Sequence, residues 1–358
     1  MAQALAPTTA PPPTTAPPPT GPSHSARRRT RRLVGLGVAL GLLLVAVVLS
    51  VAIGSALLPP DVVWQALTAP DGSASHATVS GSRVDRTLLG IVVGVALGVA
   101  GALIQALTRN PLADPGVLGV NAGASFAVTL AVAVLGVTRI EQYLPFAFVG
   151  AIAGSAVVYL AASGGRGGPT PVRLTLVGVA FTAVLAGISE TLALIDTDTF
   201  DRMRFWGAGT ITDRPAGTVG DILPFVLAGL VAAALCARPL NAIALGDDAG
   251  RAVGLRVGAV RSGVVIAVAL LCGAATAAAG PLIFVGLMVP HAVRWLTGPD
   301  WRWILAYSAV LAPVIVLAAD VLGRLIVIPA ELQVGVMMPF IGAPVLILLV
   351  RRNRVKEL

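Results

Sequence analysis

Between residues 33 and 350 the chain alternates long apolar runs with short polar segments. Ten runs stand out, near 33–57, 87–107, 117–136, 144–163, 173–195, 218–237, 260–279, 281–297, 302–321 and 335–350. Crossing a hydrocarbon core takes about 20 apolar residues in an α-helix. Only helices or closed barrels satisfy backbone groups in lipid, and no run shows the strict alternation of a barrel strand, so each run predicts a helix. The expected fold is all-α, a polytopic membrane protein of about ten transmembrane helices. An even number of crossings returns the chain to its starting side.

What precedes the first run is different in kind. Residues 1–25 are Pro, Thr and Ala with almost no charge, a composition that cannot bury enough apolar surface to offset the entropy of ordering. Arg27, Arg28, Arg29, Arg31 and Arg32 follow and lead directly into the first apolar run. That run is longer and starts later than the core of a cleaved signal peptide, so it reads as a first transmembrane helix entered from the cytoplasm. The expected organisation is a disordered cytoplasmic tail at 1–32, a transmembrane domain at 33–352 and a short cytoplasmic tail at 353–358. With the N-terminus inside, 18 of the 25 basic residues fall on the cytoplasmic side and 7 outside, as the positive-inside rule requires.

Composition agrees. Apolar residues make up 56% of the 358 and charged ones 12%, about half the charge of a soluble domain; mean hydropathy is +0.88. The net charge of +8 lies between apolar runs rather than on one face, which excludes a nucleic-acid partner and makes the lipid bilayer the surroundings. Cys236 and Cys272 sit inside apolar runs as small buried hydrophobes, and His24, His76 and His291 are far apart, so no metal site of ordinary spacing is present. A phosphate-cradling loop ends in Gly-Lys-Ser/Thr, yet the only lysine is Lys356, in Val355-Lys-Glu. Any ATP-driven motor must therefore be on another subunit. Hydrolase signatures are absent too, and no catalytic residue or cofactor is implied.

The most informative segment is 101–124, in which Asn110-Pro and Asp114-Pro-Gly force a non-helical connection between two spans. As a string it resembles the signature of the FecCD family of ABC permeases, which import iron siderophores, haem and cobalamin. Other strings match in order: Arg83-Val-Asp-Arg86, Leu245-Gly-Asp-Asp-Ala-Gly-Arg-Ala-Val-Gly254, Gly280-Pro-Leu-Ile-Phe-Val-Gly-Leu-Met-Val-Pro-His291, Ala319-Asp-Val-Leu-Gly-Arg324, Glu331-Leu-Gln-Val-Gly335 and Ile341-Gly-Ala-Pro344. The resemblance covers about 58–352 and implies a type II ABC importer permease fold. It further implies a homodimer or a heterodimer with a related permease, cytoplasmic ABC ATPase subunits and an extracytoplasmic substrate-binding protein.

Residues 241–260 mix charges with apolar residues at helical spacing, which suits a short amphipathic helix in a partner's groove or on the bilayer surface. The resemblance makes Gly246, Asp247, Asp248, Ala249, Arg251, Gly254 and Leu255 the ATPase coupling segment. Arg83, Arg86 and Arg324 taken alone are solvated or headgroup-facing, with Asp320 and Arg324 able to pair at i,i+4; the resemblance makes them the docking points for carboxylates of the binding protein. Asp85 stands where the family has proline and places a negative charge in that arginine cluster. Gating positions carry over to Asn110 and Leu112, and to Pro171 and Val172 before the fifth span. Glu190, an acid within that span, either faces a cavity or partner or lies close enough to the outer interface to reach water. Gly94, Gly98 and Gly101 allow close helix approach within the chain. The rival class is an ion-gradient-driven secondary transporter, for which Glu190 and Asp320 would be the intramembrane acids.

Overall fold

The computed structural model describes residues 24–56, 58–164 and 170–354, and among the described residues it is helical with no strand. In chain order the helices are α1 (His24–Ala52), α2 (Pro60–Thr68), α3 (Ala74–Ala77), α4 (Val84–Thr108), α5 (Val120–Leu135), α6 (Ile140–Ser163), α7 (Pro171–Ile195), α8 (Thr197–Gly207), α9 (Thr218–Ile243), α10 (Asp247–Ala252), α11 (Val257–Ala279), α12 (Val285–Thr297), α13 (Trp301–Ile326) and α14 (Val334–Arg354). Ten of them, α1, α4–α7, α9 and α11–α14, coincide one for one with the ten apolar runs.

Boundaries depart from expectation in three places. α1 begins at His24, so the run from Arg27 to Arg32 forms helical turns rather than the end of an irregular tail; residues 1–23 lie outside those described. α5 has 16 residues, about 24 Å at 1.5 Å per residue, and is preceded by a 3-10 turn at Pro115–Leu118. α12 starts at Val285 rather than near 281, because Gly280 (φ 74°) and Phe284 (φ 69°) hold the left-handed conformation and keep the intervening segment out of the helix.

α4 and α11 form the core. In each, 78% of the apolar window is buried, against 17% for α1 and 11% for α7. The glycine face of α4 explains its central position: Gly94 lies against the backbone of Pro313, Gly98 against Ser308 and Ala312, and Gly101 against the carbonyl of Gly286. Small residues let backbones approach closely where lipid supplies no hydrophobic drive between helices. These glycines therefore join α4 to α13 and α12 within the chain.

The connection from α4 to α5 folds back into the bundle. Arg109 ends α4 in the left-handed conformation (φ 52°), Asn110 Oδ1 accepts from Leu112 N at 2.9 Å, and Asp114 Oδ1 accepts from Gly116 N at 2.8 Å. The Val117 carbonyl then lies where a Cβ at Gly178 of α7 would sit, and Pro115 packs on Gly286. Irregular backbone at this depth is tolerated because protein, not lipid, surrounds it.

Candidate functional site

Polar groups gather at the two ends of the bundle. At the end opposite α1's N-terminus, Asp320 on α13 is fully buried and holds two arginines. Arg86 of α4 donates to it through Nη2 at 2.6 Å and Nε at 3.0 Å, while Arg324, one turn along α13, donates through Nε at 3.1 Å and through Nη2. Arg86 Nη1 also reaches Glu331 at 2.5 Å. Arg324 and a third arginine, Arg83, close the C-terminus of α1: Arg324 Nη1 donates to the carbonyls of Ser50 (2.7 Å) and Ile53 (2.6 Å), and Arg83 to those of Val51 (3.1 Å), Ala52 (2.8 Å) and Ala56 (2.7 Å). Cations at a helix C-terminus satisfy carbonyls that the helix leaves unpaired and complement its dipole.

Two sequence expectations change here. Arg83, Arg86 and Arg324 are buried, at 4%, 7% and 1% exposure, and are not solvated or headgroup-facing; an unpaired guanidinium would be too costly inside, and each has internal partners. Asp85 is exposed and has no ion pair among the described residues, so the negative charge inside the cluster comes from Asp320 and Glu331. Burial opposes ionisation of Glu331, but bonds from Arg86 and Ser55 and the charges of Arg86 and Arg324 outweigh it and hold the carboxyl below its ordinary range.

Arg86 and Glu331 also form one wall of a cavity of about 670 Å³ at this end, with Arg202, Trp206 and Arg214 on others. Burial pushes Arg214 down to about 10, which leaves it charged at neutral pH. The buried indole N–H of Trp206 has no partner among the described residues. Arg202 and Arg214 were not singled out from sequence; their signal was basic residues on the side where the positive-inside rule expects few.

At the other end, α10 is set between Gly246 (φ 122°) and Gly254 (φ 80°), positions that favour glycine. Asp247, its first residue, is held from two sides, by Arg109 at the end of α4 and by Arg261 of α11 at 2.8 Å. Asp248 and Arg251 pair with each other at 2.9 Å in the open, Ala249 and Leu255 are half-buried, and Leu245 and Val253 stand exposed at 82% and 67%. Arg109 and Arg261 are the residues that sequence reasoning missed, because their partner lies in a different segment.

Asn110, Leu112 and Val172 are exposed and Pro171 half-buried at this same end, on the folded-back connection and the first turn of α7. Among the described residues no hydrogen bond links the two pairs. Glu190 is exposed on α7, five residues before that helix ends, with no ion pair among the described residues. The helix carrying it buries only Leu174 and Gly178.

An apolar helical bundle with charged groups gathered at its two ends is the build of a polytopic membrane protein. The chain belongs to the FecCD transport family, whose pattern matches residues 42–352. It is 47% identical over 324 residues to the ferric enterobactin transport system permease protein FepD of Escherichia coli (strain K12), covering 90% of this chain and 96% of that one. It is 32% identical over 324 residues to the hemin transport system permease protein HmuU of Yersinia pestis, covering 89% and 96%. A solved metal-chelate type ABC transporter in an inward-facing conformation superposes with a TM-score of 0.78 over 88% of this chain and 98% of that one, at 23% identity, and so shares the fold.

Proposed function

We propose that this permease is the membrane subunit of an ATP-driven importer for a ferric siderophore, with both termini in the cytoplasm. The observation that carries the cargo is the near-full-length identity to the ferric enterobactin permease, well above that to the haemin permease. Orientation rests on the 18 to 7 split of basic residues. The motor belongs to a separate ATPase, since the lone Lys356 cannot complete a phosphate-binding loop here.

In this reading the open end meets the ATPase. Leu245 and Val253 offer apolar side chains to a groove while Asp247 ties α10 to Arg109, the residue from which the connection carrying Asn110 and Leu112 departs. Displacement of α10 would pull that connection, whose far part is wedged against Gly178 of α7. The largely unburied face of α7, with Val172 and Glu190, is assigned to a second permease copy or relative and to the path between the two. At the outer end, a carboxylate of the binding protein enters the cavity walled by Arg86, Arg202 and Arg214, while Arg83 and Arg324 hold the frame.

The test is uptake into vesicles holding the permease with its cognate ATPase, supplied with binding protein and radiolabelled iron as siderophore, haem or free ion. ATP-dependent uptake of the siderophore alone is expected. Uptake driven by a proton or sodium gradient without the ATPase would overturn the motor, and preference for haem would overturn the cargo.

A further inference from the structure

The open end carries a second feature that the transport reading leaves unused. Where α1 passes α13, Arg28, Arg29, Arg32, Arg302 and Trp303 enclose a notch of about 680 Å³ that reaches down to Ala306. Its floor is fixed: Arg32 Nη2 donates to the Thr297 carbonyl at 2.5 Å, Tyr307 donates to the Arg32 carbonyl at 2.6 Å, and the Arg32 guanidinium lies 5.7 Å from the Trp303 ring centre. Among the described residues Asp300 is the one acid in contact, at 3.6 Å from Arg32 and 3.1 Å from Arg302. Four arginines therefore face one carboxylate. That carboxylate is already engaged by Asn241 at 3.0 Å as well, and Arg28 and Arg29 have no ion pair among the described residues.

Directly below, a cleft of about 590 Å³ runs between α9 and α13. It shares Arg302 and Ala306 with the notch and continues along Leu305, Ala309, Leu230 and Ala233, with Arg238 at its rim. From Arg302 to Ala309 is seven residues, about 10 Å along the helix, most of the roughly 15 Å depth of one leaflet. The charged notch sits at the end of the spans and the apolar cleft beneath it faces outward from the bundle.

We infer that the notch and cleft together bind one anionic phospholipid of the adjoining leaflet, its phosphate among Arg28, Arg29, Arg32 and Arg302 and an acyl chain along Ala306 and Ala309. A phosphodiester supplies the negative charge that Asp300 does not, the Trp303 ring suits the headgroup level, and basic pockets between spans at the cytoplasmic side take acidic headgroups. The inference requires membrane embedding and is independent of the cargo.

Native mass spectrometry of the full-length permease released from detergent, titrated with phosphatidylglycerol or phosphatidylcholine, tests it. One tightly held phosphatidylglycerol and no comparable phosphatidylcholine are expected. The triple variant R28Q/R29Q/R302Q should weaken retention on the order of a hundredfold. Ala306→Phe, which narrows the junction and keeps every arginine, should also lose the lipid, whereas R139Q/R204Q at the opposite end should retain it. Equal retention by wild type and triple variant overturns the inference. So does thermal stabilisation by inorganic phosphate equal to that by phosphatidylglycerol, which would mark a free-anion site, or a triple variant that keeps its lipid but loses the ATPase.

Discussion

The two ends of the bundle use the same residue types in opposite ways. At the end that the proposed orientation makes the outer one, Arg86, Arg324 and Asp320 form one buried network with the half-buried Glu331 at its edge, and Arg83 and Arg324 tie it to the last carbonyls of α1. At the other end Asp247 is a quarter exposed and Arg109 more than a third, and Asp248 with Arg251 lies almost entirely in the open. Pairs withdrawn from water are costly to break because the remaining partner is left as an uncompensated charge, whereas exposed pairs exchange readily with water and salt. The Asp320 network is thus held in one arrangement, whereas the Asp248–Arg251 pair at the opposite end exchanges with water.

Asp320 is where this contrast is most easily broken. Asp320→Ala leaves Arg86 and Arg324 buried with one fewer carboxylate, and a loss of about 3–5 kcal/mol is expected, read as a lower thermal midpoint and less folded protein in the membrane. An unchanged midpoint would mean that water already reaches the network and that the outer end is no more rigid than the inner one.

The sequence made the ten helices legible because burial in lipid demands continuous apolar length, and that demand is local. It could not place the start of α12, which is decided by left-handed residues at Gly280 and Phe284 that periodicity does not register. Asn110-Pro and Asp114-Pro announced a break after α4, but its depth comes from Gly178 and Gly286, glycines on other helices that leave room for the returning backbone. The arginine cluster shows the same limit. Arg86 is legible as a charge on the side where the positive-inside rule expects few, yet its partner Asp320 is 234 residues away, so its burial cannot be read from Asp85, its neighbour in sequence. For Asp247 the family strings imply a coupling role, while the grip of Arg109 and Arg261 on it needed the fold.

Acid should loosen the outer end through Glu331. Glu331 has a lower pKa folded than unfolded, so its contribution is fully present above the ordinary carboxylate range and is lost as pH falls through the folded value. Thermal stability should decline as pH drops below about 4, and Glu331→Gln should lower stability at neutral pH while flattening that decline. A variant with the same acid profile as the wild type would show that another carboxylate governs it.

Asp247→Asn should cost less stability than Asp320→Ala, about 1 kcal/mol, because Asp247 and Arg109 are partly in water and the asparagine can still accept from Arg261. Its effect belongs to coupling: the ATPase should still bind and hydrolyse ATP, while siderophore moved per ATP falls. Arg109→Gln tests the link itself, since it removes the contact to α4 while Asp247 keeps its charge and its pair with Arg261: an equal fall in coupling requires that the contact, and not the negative charge at α10, transmits the motion. A wild-type transport ratio in Asp247→Asn would remove α10 from the route to the folded-back connection.

The smallest structural effect is expected at Arg251, and that makes it the cleanest probe of what the inner end meets. Its only ion pair among the described residues is with Asp248, at side-chain exposures of 65% and 99%, a pair that contributes next to nothing to the isolated chain. Arg251→Ala should therefore leave thermal unfolding of the purified permease unchanged. If α10 is the surface that the ATPase grips, the same substitution should still weaken co-purification of the ATPase, because a side chain idle in the free chain becomes desolvated and paired in the complex. A parallel loss of stability would show that Arg251 supports the chain's own fold, and full ATPase retention would move the contact off α10 altogether.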